Sequence, residues 1–140
     1  MQQDDLSSVN IAELRANRQW QTQYRTLMEW GGKIQPKPEL RIAENKIRGC
    51  SADAWLCRQG DDFYFDSDSR IINGLAALLL TQVAQEGEHM LDVQVWKEVL
   101  QELGLQKHLS PSRNNGFQAL VLRMNELWHN PLPEERVDSD

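Results

Sequence analysis

Residues 44–68 read "ENKIRGCSADAWLCRQGDDFYFDSD". Two runs, "ENKIRG" and "AWLCRQ", alternate apolar with polar residues as half-buried strands do, and Gly60-Asp61 then offers a tight turn into the aromatic run "FYF". The pattern predicts a small antiparallel three-stranded sheet over residues 43–66. Between its first two strands Gly49 and Cys50 precede Ser51, Ala52 and Asp53, a composition suited to a turn tip. Cysteine is normally a core residue, a disulfide partner or a metal ligand, so its place on a turn calls for a reason.

Helical patterns flank the sheet. Upstream, "NRQWQTQYRTLMEWGGK" (17–33) sets Trp20, Tyr24, Leu27 and Met28 at helical spacing, with Asn17 as a cap and Gly31-Gly32 as a stop. Before it, "SVNIAELRA" (8–16) allows a short helix with Ile11 and Leu14 on one side, while residues 1–10 are polar and expected to be mobile. Pro36 and Pro38 make residues 33–44 an extended connector.

Downstream, residues 66–85 begin with cap-forming residues and carry Ile71, Leu75, Leu78, Leu79 and Val83 on one face, which predicts a central helix. Trp96, Val99, Leu100 and Leu103, closed by Gly104, predict a further helix. Ser110 and Pro111 open a last one through Phe117, Leu120, Val121, Met124 and Trp128, ended by Pro131. Trp20, Trp96 and Trp128 all read as core residues. The charged tail 131–140 is expected to be mobile. Helix, small sheet, then helices is an α+β arrangement, and 140 residues suit a single domain over 1–140.

The net charge of −6 argues against a nucleic-acid surface, which needs clustered Lys and Arg. No apolar run reaches the roughly 20 residues that span a bilayer, and the opening residues lack the order of a secretory signal, so a cytoplasmic chain without membrane contact is expected. His89, His108, His129 and the two cysteines show no metal-ligand spacing, no phosphate-binding loop occurs, and Asp66 and Asp68 lack the rest of a calcium loop. No metal or cofactor site is expected. Cys57, within a strand, reads as a small packed hydrophobe. Cys50, with Lys46 and Arg48 nearby to favour a thiolate, reads as either a reactive thiol or a packing residue, and the residues alone leave both open.

The run "IRGCSADAWL" (47–56) resembles the sulfur-acceptor motif of the SufE/CsdE family, in which a glycine-cysteine pair precedes a hydrophobe-tryptophan-hydrophobe triplet. Three further blocks are similar to the family in order along the chain: "WQTQYRTLMEWGGKI" (20–34), "DSDSRIINGLAALLL" (66–80) and "LGLQKHLSPSRNNGFQAL" (103–120), the last with Arg113 and Gly116 in matching places. The "SADA" before Trp55 departs from the larger polar residues and valine usual there. The resemblance implies a SufE/IscU-like fold and a sulfur-transfer protein that works beside a separate pyridoxal-phosphate cysteine desulfurase, of the SufS-like or CsdA-like kind. Cys50 would be the catalytic residue, accepting sulfane sulfur and passing it to a downstream acceptor or cluster scaffold. This chain itself would hold no cofactor. Gly49, Trp55 and Arg113 are the supporting or partner-contacting candidates, Arg113 being equally readable as a surface arginine. Lys33, Lys37, Arg41, Lys46 and Arg48 are candidates for a docking rim. Two alternatives remain open: an iron–sulfur or metal scaffold, for which two cysteines are few, and a purely allosteric module of the desulfurase.

Overall fold

The computed structural model of the chain describes residues 1–130. Strands β1 (Ala54–Gln59) and β2 (Asp62–Ser67) pair antiparallel, with Leu56 opposite Phe65 and Cys57 opposite Tyr64. Gly60, at φ +63°, takes the left-handed position of the two-residue turn. Because successive strand residues point to opposite faces, Ala54, Leu56 and Phe65 enter the main core. Trp55, Cys57 and Tyr64 form a second, smaller cluster on the other face, closed by Leu40 from a 3-10 turn at Pro38–Leu40.

Two strands, not three, make the sheet among the described residues. The expected first strand contributes only the bridge from Lys46 to Trp55 and the bond from the Ile47 amide to the Ala54 carbonyl. Ala43–Asn45 coils into a 3-10 turn immediately before it, and Gly49 turns left-handed immediately after, so no run long enough to pair remains.

Five α-helices surround the hairpin among the described residues: α1 (Ile11–Ala16), α2 (Trp20–Gly31), α3 (Arg70–Glu86), α4 (Val93–Leu103) and α5 (Pro111–His129). Helix α3, capped by Ser69, is the central one: Ile71, Leu75, Leu78, Leu79 and Val83 are buried as the periodicity required, and so are residues on its other sides. It crosses α2 at backbone contact. A Cβ on Gly74 would stand 2.1 Å from the Leu27 carbonyl oxygen, and one on Gly31 2.2 Å from that of Arg70. Glycine at both positions is what lets the two backbones approach. The Arg70 Nε then donates to the Met28 carbonyl at the end of α2.

The buried stripe of α2 is Gln23, Leu27, Trp30 and Gly31, not the one drawn through Trp20 and Met28, which are 41% and 45% exposed. Gln23 disguised it. That amide is buried and donates to the carbonyls of Leu14 and Leu103, tying α1 and α4 to α2. Trp20 lies outside the core and stacks on His108 at 5.2 Å, in contrast to Trp96, which is buried edge-on against Phe117. The helix begins at Trp20, with Asn17 accepting from the Gln19 amide just ahead of it.

Ser110 caps α5, accepting from the Arg113 amide, and Pro111 takes the first turn. Among the opening residues, Asp4 accepts from Lys37 Nζ at 2.6 Å and from the Gln35 amide, and Val9 is buried. The expectations for Pro131 and the tail lie outside the described residues. No described helix is long and apolar enough to cross a membrane.

Candidate functional site

Cys50 sits in a loop pinned at both ends. Ile47 donates to the Ala54 carbonyl, and the Asp53 carbonyl accepts from both Ser67 Oγ at 2.8 Å and the Asp68 amide. Lys46 and Asp53 pair at 3.1 Å across the mouth. Between these points Gly49 adopts φ +88°, a conformation that strains other L-residues, and turns the chain so that the next side chain points back toward the helices. Cys50 is half-buried and packs against the main core.

Its sulfur lies against α5. A Cβ on Gly116 would come within 2.8 Å of Cys50 Sγ and 3.4 Å of Ile72 Cδ1, so the thiol fills the notch that this glycine leaves. Ala119, one turn further along α5, lies beneath Gly49. Burial pushes the Cys50 thiol pKa up; the Ala52 amide, directed at the sulfur, opposes this, and the Asp53 carboxylate adds to it. The net direction is upward. The expectation that Lys46 and Arg48 would favour the thiolate is therefore corrected: Lys46 is paired with Asp53, and the thiol's pKa is pushed up by burial, not down.

Of the supporting candidates, only Gly49 adjoins the thiol through the chain. Trp55 is buried on the outer face of the hairpin, where the Arg41 guanidinium stands 4.4 Å above its ring. Arg41 in turn is held by Asp66 and Asp68, each at 3.0 Å. Arg113 extends to α2, its guanidinium 5.9 Å from the Tyr24 ring centre, and Tyr24 donates to the His108 carbonyl. Of the basic residues considered for a rim, Lys37 is buried and bonded to Asp4, Gln35 and Phe65. Arg48 and Lys46 instead help line a groove of about 640 Å³ beside the loop, together with Gly49, Ala119, Leu122 and Arg123. Leu122 is 54% exposed there.

Cys57 is buried in the outer cluster with Tyr64 and Leu40. Among the described residues no group of three or more His, Cys, Asp or Glu side chains is placed to hold a metal ion. The sequence reading missed Gly116 as the seat of the thiol, Ile72 beside that seat and Ala119 beneath Gly49. A signal existed for the first: a glycine in the interior of a helix costs about 1 kcal/mol relative to alanine, which asks for a packing reason.

The SufE family, described as an Fe-S metabolism associated domain, matches residues 9–128, a span that contains the pinned loop, the hairpin, α3 and all but the last residue of α5. The chain belongs to the SufE family. Sulfur acceptor protein CsdE of Escherichia coli K12 is 37% identical over 108 residues, covering 73% of this chain and 74% of its own length. An uncharacterised SufE-like protein of Rhizobium etli is 32% identical over 119 residues, covering 76% of this chain and 78% of its own. Another, from Rhizobium meliloti strain 1021, is 29% identical over 124 residues, covering 82% and 89%. Within the SufE match, Cys50 is the half-buried cysteine and Cys57 the buried one.

Proposed function

We propose that this SufE-family chain is a sulfur acceptor for a pyridoxal-phosphate cysteine desulfurase, with Cys50 as the accepting thiol, in iron–sulfur cluster assembly or related sulfur trafficking. The observation that carries the reading is the placement of Cys50: a thiol at the tip of a short loop, fixed at both ends and hinged at Gly49, inside the family's domain. The relative from Escherichia coli bears the name sulfur acceptor protein, which supports the same chemistry.

The transfer is a thiol exchange. Cys50 gives up its proton to solvent or to a group of the docked desulfurase, and the thiolate attacks the outer sulfur of the desulfurase's cysteine persulfide. A bond forms between Cys50 Sγ and that sulfur as the bond to the desulfurase cysteine breaks, releasing the latter as a thiolate. No net oxidation occurs. The raised pKa of the resting thiol fits a carrier that is inert alone and is activated by its partner, since thiolate character controls reactivity. Gly49 supplies the freedom for the loop to swing, Trp55 under Arg41 braces the strand that the loop feeds, and Arg113 offers a partner-facing cation beside Tyr24. The groove lined by Arg48 and Leu122 is the surface on which the desulfurase would meet the loop.

Desulfurase turnover measured with wild type, Cys50→Ser and Cys57→Ser tests the proposal. Stimulation by wild type and Cys57→Ser but not by Cys50→Ser is expected. Full stimulation by Cys50→Ser would instead mark the chain as an allosteric module and overturn the acceptor role.

A further inference from the structure

We infer that Gly116 is a positioning residue for the acceptor thiol: its missing side chain is the seat in which Cys50 rests between partners, and an alanine there would expel the thiol toward solvent. The inference rests on the reading of Cys50 as the accepting thiol. It goes beyond that reading by assigning the resting state of the loop to one atom's worth of space on α5.

The geometry decides which group would yield. An added Cβ would meet Cys50 Sγ at 2.8 Å, closer than real side-chain contacts allow, and Ile72 Cδ1 at a tight 3.4 Å. Ile72 is 2% exposed in the core between α3 and α5, and the backbone at 116 is fixed by its neighbour Phe117, itself buried against Trp96. The Cys50 loop has room to move. It is half-exposed, contains a glycine at positive φ, and is anchored at its ends, by backbone bonds at residues 47, 53 and 54 and by the Lys46–Asp53 pair. The Cβ of Cys50 would lie 3.9 Å from the added atom, an ordinary contact, so within Cys50 the conflict is with the sulfur alone.

The surroundings of the seat account for what it does. Removing the thiol from water favours the protonated form, and Asp53 across the mouth disfavours a thiolate further. A thiol lodged beside Gly116 is thus less open to alkylating agents and oxidants than it would be once the loop leaves. An alanine at 116 would hold the loop in the departed state permanently, without any partner bound.

The test is the rate at which iodoacetamide modifies Cys50, followed by peptide mass mapping across a range of pH, for wild type and Gly116→Ala without desulfurase. The variant is expected to react about tenfold faster near neutral pH, with its pH midpoint moved down. Rates and midpoints that agree within about twofold, in a variant that stays folded, would overturn the inference. Thermal unfolding adds a second arm, because alanine is the better helix former. Gly116→Ala should raise the melting temperature more in a Cys50→Ala background than in wild type, since the sulfur it would strike is gone. An equal change in both backgrounds would mean that the glycine serves helix packing only, and the inference would fail. Neither arm involves sulfur transfer, so a failure here leaves the acceptor reading standing, and a Cys50 that takes no sulfur leaves the seat standing.

Discussion

Gly74 and Gly116 both occupy helix interiors where a Cβ does not fit, yet they face different things. Gly74 in α3 opposes the backbone carbonyl of Leu27 at 2.1 Å, and Gly31 reciprocates against Arg70 at 2.2 Å, so the α2–α3 seam is backbone on backbone. Gly116 in α5 opposes a single sulfur atom on a loop at 2.8 Å. A clash at the seam has nowhere to go, because both walls are helices in the core. At the thiol's seat one wall is a hinged loop. The molecule therefore joins an unyielding frame to one element that can move, and the movable element carries the thiol proposed to accept sulfur.

The seam should break hardest. Gly74→Ala is expected to destabilise by about 3 kcal/mol or to prevent folding, because overpacking a rigid contact leaves no low-energy adjustment. Urea unfolding measures it; a loss under about 1 kcal/mol would show that the helices shift freely and would remove the contrast with Gly116. The outer face of the hairpin comes next. Arg41→Ala removes the cation above Trp55 and one partner of the buried Asp66 carboxylate, which keeps the Lys37 amide, so a loss of about 1 to 2 kcal/mol is expected. The same variant should leave the alkylation rate of Cys50 unchanged, and a large change would place Trp55 and Arg41 in the loop's machinery instead of its bracing.

Cys57→Ala is a smaller change, expected to cost about 1 kcal/mol for a trimmed buried side chain while leaving desulfurase stimulation intact. The smallest effect is the pH dependence of the seat. Because the folded-state pKa of Cys50 is raised, the neutral thiol is favoured in the native protein, and the stabilisation this represents is complete below the ordinary thiol range and lost as pH climbs through it and beyond. Wild type should lose stability over that alkaline window slightly more than Cys50→Ser does, measured by unfolding at several pH values. Identical curves would mean that the thiol is not held in its neutral form.

Much of the frame was legible in the sequence, because α3, α4 and α5 carry strong helical periodicity with caps at Ser69, Asp92 and Ser110. The buried face of α2 was not, since a buried glutamine whose partners are carbonyls of α1 and α4 breaks the apolar pattern. The expected first strand does not form: alternation over residues 44–49 satisfies the local rule, but pairing needs a run of extended backbone that a 3-10 turn and a left-handed glycine interrupt. Cys50 stood out because its neighbours are turn residues. Its environment did not, since Gly116 meets it only through tertiary packing, and the charge that matters turned out to be Asp53, three residues along the same loop, not Lys46 or Arg48.

The central claim is that sulfur passes to Cys50. Wild-type protein incubated with a cysteine desulfurase and cysteine, then digested without reductant and mass-mapped, tests it most directly. A gain of about 32 Da, one sulfur atom, on the Cys50 peptide and none on the Cys57 peptide is the expected result. An unmodified Cys50 peptide, under conditions in which the desulfurase carries its own persulfide, would contradict the account.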